Sequence, residues 1–175
     1  MSKFKTKQLA VTSLMTALVI VGTMVIQIPT PTKGYIHIGD SMVYLCGFLL
    51  GPLAGFLAAS TGSAMADLFS GYGFYAPATF FIKGFEALMV SYCYRFFQTK
   101  AKSSTITKVI GSIFGIIIGG IIMVLGYLTF ETYLYGYPTA LVGVAANITQ
   151  AVGGGILAFP LNLALEKADL LKKAK

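Results

Sequence analysis

Apolar runs of about twenty residues recur along this chain, the length a helix needs to cross a hydrocarbon core of roughly 30 Å. Few charges interrupt them. Of 175 residues, 56% are hydrophobic and 11% are charged, whereas a soluble domain carries about a quarter charged residues. In lipid every backbone N–H and C=O must find its partner within the protein, which leaves helices or closed barrels. Runs of this length point to helices. The expectation is an all-α integral membrane protein, one domain over residues 1–175.

Turn chemistry divides the runs. A first span over about 9–28 stops at Pro29 and Pro31, and the polar segment "PTPTKGYIHIGD" follows it with the single histidine, His37. Gly51-Pro52 splits the next apolar stretch into a short helix, 41–50, and a span over 52–69, because Gly suits a helix end and Pro the first turn of the next helix. "SGYGFYAP" precedes a fourth span at 78–97, "QTKAKSST" a fifth at 108–130, and "ETYLYGYP" a sixth at 139–165. A ten-residue second helix rises only about 15 Å. It must begin in the preceding loop, tilt, or be shielded by protein.

The formal net charge is +7, and its placement argues for topology rather than nucleic acid. Lys3, Lys5 and Lys7 precede the first span. Arg95, Lys100, Lys102 and Lys108 flank the break after the fourth, and Lys167, Lys172, Lys173 and Lys175 close the chain. Basic segments lie on the cytoplasmic side. Four crossings separate the first two clusters and two more reach the third, so six helices with both termini cytoplasmic satisfy all three. The segments 29–40, 70–77 and 131–138 then face outward. Cys46 and Cys93 sit in apolar runs and read as small buried hydrophobes.

Within the fourth span, "TFFIKGFEAL" places Lys83 and Glu86 three residues apart on one helical face. Ionisable residues at membrane depth pair with a partner and mark functional sites. Two readings stand: a neutralising pair, with Asp67 as another partner for Lys83, or the floor of a polar pocket open to the outside. Asn147 and Gln150 share a face of the sixth span, as interhelical glue or as pocket groups. Tyr35, His37, Asp40, Tyr72, Tyr75, Tyr133 and Tyr135 would sit above them, some of the tyrosines as an interfacial belt, which leaves His37, Asp40 and Glu131 unexplained. Apolar walls, aromatic rings and a few converging polar groups suit a planar heterocycle.

No GxxxxGK[ST] phosphate loop is present, a lone histidine makes no paired metal-ligand spacing, and no serine has a supported His/Asp partnership. The expectation is a binding protein without enzymatic activity or cofactor. Gly111, Gly115 and Gly119 form one smooth helix face and Ala10, Ser13 and Ala17 another. Such faces admit a neighbouring helix, inside the bundle or from a partner.

The patterns "GYIHIGD", "LLGPLAGFLAASTGSAMADL" and "YAPATFFIKGFEAL" resemble the substrate-binding S components of energy-coupling-factor (ECF) vitamin transporters, over about residues 8–97. They look most like the hydroxymethylpyrimidine or pyridoxine branch. Over 105–165 the likeness lies in composition and layout. The resemblance implies a substrate-binding subunit of an ATP-driven vitamin importer in the plasma membrane of a bacterium. Its partners would be a transmembrane T component and two cytoplasmic ATPases. It also implies docking of the T component on Ala10, Ser13 and Ala17, where the family's usual alanine pair is here Ser13 and Ala17, and a lid role for Gly34 to Asp40. Lys83, Glu86, Asn147, Gln150, Tyr35, His37, Asp40, Tyr75 and Glu131 would bind substrate. The competing readings are a self-sufficient ion-coupled carrier and a membrane enzyme or assembly factor. The internal repeat of a carrier and the clustered acids of an enzyme are both missing.

Overall fold

The computed structural model describes residues 6–30, 32–100 and 104–167. Lys3, Lys5, Pro31, Lys102, Lys172, Lys173 and Lys175 lie outside them. Six helices form: α1 (Thr6–Val25), α2 (Asp40–Leu50), α3 (Pro52–Phe69), α4 (Ala76–Lys100), α5 (Thr105–Tyr135) and α6 (Tyr137–Lys167). Two short strands, β1 (Gln27–Pro29) and β2 (Tyr35–His37), join α1 to α2 as an antiparallel hairpin, pairing Gln27 with His37 and Pro29 with Tyr35. α1, α5 and α6 are long and apolar enough to span a membrane on their own. α4 has the length too but carries Lys83, Glu86 and Arg95.

The eleven-residue α2 is buried nearly all round, including Asp40, Val43, Tyr44, Cys46 and Phe48. It packs against α1, α3, α4 and α6. Of the three ways a half-length helix can exist in a bilayer, this chain uses shielding by protein. Gly51 takes φ +90° between α2 and α3, a backbone conformation that only glycine adopts freely, and Pro52 opens α3.

The core joins small and medium apolar groups, among them Val19, Val43, Cys46, Ala58, Ala59, Ala87 and Val90, to the rings of Tyr44, Phe48 and Tyr94. Large side chains such as Leu14, Phe69, Phe81, Ile117, Leu125 and Ile156 point outward. An apolar exterior of this kind is what a lipid-facing surface requires. The glycine face of α5 packs inside the bundle: a Cβ at Gly115 would stand 3.2 Å from the Val90 carbonyl, and one at Gly119 2.6 Å from the Val90 side chain. Ala10, Ser13 and Ala17 stay exposed on α1.

Most helix boundaries differ from the expected spans by one to five residues, and two of the shifts change the local structure. α1 ends at Val25 rather than near residue 28, because residues 27–29 pair as β1. α5 continues through Tyr135, so Glu131, Tyr133 and Tyr135 are helical. The turn shrinks to Gly136 at φ +82°, with Pro138 in the first turn of α6.

Candidate functional site

Helix polarity brings the hairpin, the residue before α4, the end of α5 and the start of α6 to one end of the bundle. A small cavity, partly open at its mouth, lies there. The hairpin supplies Thr30, Thr32, Gly34, Tyr35 and His37. Tyr75, Tyr127 and Glu131 form one wall, and Gly143, Asn147 and Gln150 of α6 the other. Lys108 and Glu166 pair at 2.9 Å at the opposite end of the bundle, where Lys167 also lies.

The hairpin is strapped down at several points. Tyr35 donates its hydroxyl to Asp67 of α3 at 2.6 Å, Tyr75 donates to the Thr32 carbonyl at 2.6 Å, and the His37 N–H donates to Gln150 Oε1 at 3.0 Å. The Tyr35 ring lies 4.5 Å from Tyr72 and 5.3 Å from His37. Burial and the adjacent Asp67 carboxylate keep the Tyr35 hydroxyl protonated. Burial also pushes the His37 imidazole down to about 4, against the pull of Asp40 and with the push of Lys83. Its Nδ1 accepts the Gly39 N–H at 3.1 Å, as a neutral ring can.

Beneath the cavity lies a charge cluster wholly out of solvent. Lys83 Nζ reaches Asp40 Oδ1 at 2.5 Å and Glu86 Oε2 at 3.0 Å, each side chain 0% exposed. Gln150 Nε2 donates to Asp40 Oδ2 at 3.2 Å, so one amide joins hairpin and cluster. Among the residues singled out from sequence, Tyr35, His37, Tyr75, Glu131, Asn147 and Gln150 line the cavity. Lys83, Glu86 and Asp40 form the layer under it. Asp67 does not pair with Lys83 but is held by Tyr35. Tyr72 backs the hairpin, and Tyr133 is 87% exposed, as an interfacial ring would be.

Sequence reasoning missed Tyr127, Gly143, Thr30 and Thr32. The spacing carried a signal for two of them: Tyr127 precedes Glu131 by four residues and Gly143 precedes Asn147 by four, each pair on one helical face.

The model of the ECF-type riboflavin transporter S component family matches residues 3–167. The chain belongs to that family. A solved structure of the S component of a bacterial ECF transporter is similar at a TM-score of 0.65 and 25% identity, covering 95% of this chain and 98% of that one. A protein of Pyrococcus woesei, described as an uncharacterized protein in the gap 3′ region, is 38% identical over 150 residues, 85% of this chain and 95% of its own length. This S component is thus a multi-pass membrane protein and a substrate-binding subunit of an ECF transporter, not an enzyme. The matched family carries riboflavin in its name, not the hydroxymethylpyrimidine or pyridoxine type expected from the motifs.

Proposed function

We propose that the cavity under the hairpin binds one small planar ring vitamin or precursor, of the hydroxymethylpyrimidine, pyridoxine or pyridoxal type. The observation that carries this reading is the convergence of tyrosine rings, a carboxylate and two amides on one space, donated by the hairpin, α5 and α6. Rings stack on the heterocycle, and the amides and carboxylate read its edge. Riboflavin is the second reading, favoured by the description of the matched family.

The pocket faces outward and both termini are cytoplasmic. Arg95, Lys108 and Lys167, which lie toward the end of the bundle away from the cavity, support that orientation. The T component docks on α1 across Ala10, Ser13 and Ala17, whose exposure leaves the face free for a helix. Two cytoplasmic ATPases drive release, and the hairpin over Gly34 to Asp40 serves as the lid. The site of action is the plasma membrane of a bacterium.

The test is mass spectrometry of the small molecule that co-purifies with the detergent-solubilised chain, followed by calorimetric titration of the same compound. One single-ring compound at near-stoichiometric amount supports the reading. Co-purified riboflavin selects the second reading, and a protein that binds no ring compound overturns both.

A further inference from the structure

Glu131 is 3% exposed, lines the cavity, and is under-satisfied there. Its Oε1 stands 3.3 Å from the Tyr75 hydroxyl, whose single proton is also directed at the Thr32 carbonyl at 2.6 Å. Its Oε2 has no hydrogen-bond partner among the described residues. None of the ion pairs among those residues includes it. The space for this carboxylate comes from Gly143 across the cavity, where a Cβ would stand 2.5 Å from Oε2. One helical turn further along α6, Asn147 lines the same space and makes no hydrogen bond to a described residue.

A buried carboxylate oxygen without a donor is costly unless something supplies one. An amide a turn away, about 5–6 Å along the helix surface, offers both a donor and an acceptor. From the unpartnered Oε2, the glycine that makes room for it and the free amide beside it, we infer that the ligand presents an N–H donor edge to Glu131. The class is a nitrogen heterocycle with an amino or ring N–H group beside a ring acceptor, the donor meeting Glu131 and the acceptor meeting Asn147. This rests on the cavity being the ligand site, as proposed above, and names what that site selects.

The test is calorimetric titration of the full chain in detergent with three probes: 4-amino-5-hydroxymethyl-2-methylpyrimidine, its analogue with hydrogen in place of the amino group, and riboflavin. The wild type is expected to prefer the amino compound over the analogue by about tenfold to a hundredfold, the range for a hydrogen bond to a charged group. Glu131→Gln keeps an accepting oxygen but loses the charge, so it is expected to reduce that preference to roughly two- to tenfold. Gly143→Ala, on the opposing helix, weakens the amino compound in the same direction and guards against misfolding of the first variant. Should the wild type take riboflavin instead, its ring N–H is the corresponding donor and Glu131→Gln must weaken it comparably. Unchanged affinity in Glu131→Gln, or equal loss for both pyrimidines, overturns the inference. A wild type that binds none of the three overturns the pocket reading beneath it as well.

Discussion

Lys83 Nζ stands 2.5 Å from Asp40 Oδ1, tying the middle of α4 to the first turn of α2 across 43 residues of sequence. The same ammonium reaches Glu86, and all three side chains are shut off from solvent. Removing the one cation strands two carboxylates in the interior. Breaking a buried pair in this way costs about 3–5 kcal/mol. Lys83→Met is therefore expected to lower the thermal unfolding midpoint in detergent steeply. Adding Asp40→Asn and Glu86→Gln to it should recover most of the loss, since no unpaired charge then remains.

Asn147 lines the cavity while Glu86 lies under it, and the two should separate in experiment. Asn147→Ala is expected to weaken ligand binding by about tenfold or more, the value of a hydrogen bond left unmade, with the unfolding midpoint nearly unchanged. Glu86→Gln is expected to shift the midpoint and leave affinity within a few-fold of wild type. Calorimetry and thermal unfolding on both variants decide it. The opposite pattern would place the binding groups one layer deeper.

His37 gives stability a pH dependence. Its folded value of about 4 lies below the ordinary value near 6.5, the largest cause being burial. Between those values the unfolded chain binds the extra proton, so stability rises with pH across that window. The contribution is fully present above about pH 6.5 and shrinks as pH falls toward 4. The unfolding midpoint should drop more between pH 7.5 and pH 5 for wild type than for His37→Asn, whose side-chain oxygen can still accept the Gly39 N–H. Equal drops would mean the ring titrates freely in the folded protein.

The exposed face of α1 carries a prediction about assembly. Ser13→Trp or Ala17→Phe puts bulk where a partner helix must approach closely, and neither position is packed inside the bundle. ATP-dependent uptake in cells holding the complete transporter should fall to background. Ligand affinity of the isolated chain should not change. Uptake at the wild-type level would move the docking surface off this face.

Much of this protein is written locally. Apolar length, Gly51-Pro52 and the basic segments are features of neighbouring residues, so six helices with a short second one are legible in the sequence alone. The hairpin is not. Its strands are three residues long, one ends in Pro29, and their pairing depends on α1 and α2 bringing residues 27 and 37 together. The helical state of Glu131 is hidden for a related reason: the tyrosines and glycine of "ETYLYGYP" look like a turn, but Gly136 alone suffices to make it.

The sequence by itself determined that Lys83, Glu86, Asn147 and Gln150 were out of place in apolar spans, because a polar group in lipid must be answered by another, and it set Asp40 and Glu131 in the outer loops. It could not say which answers which. That was decided by tertiary packing, which buries the stubby α2 and so delivers Asp40 to Lys83, and which aligns the ends of α5 and α6 so that Glu131 lies against Gly143. The physical reason is range. Hydrophobicity and turn propensity act over a few residues, whereas ion pairs and hydrogen bonds act over a few ångströms between residues 43, 110 or more positions apart.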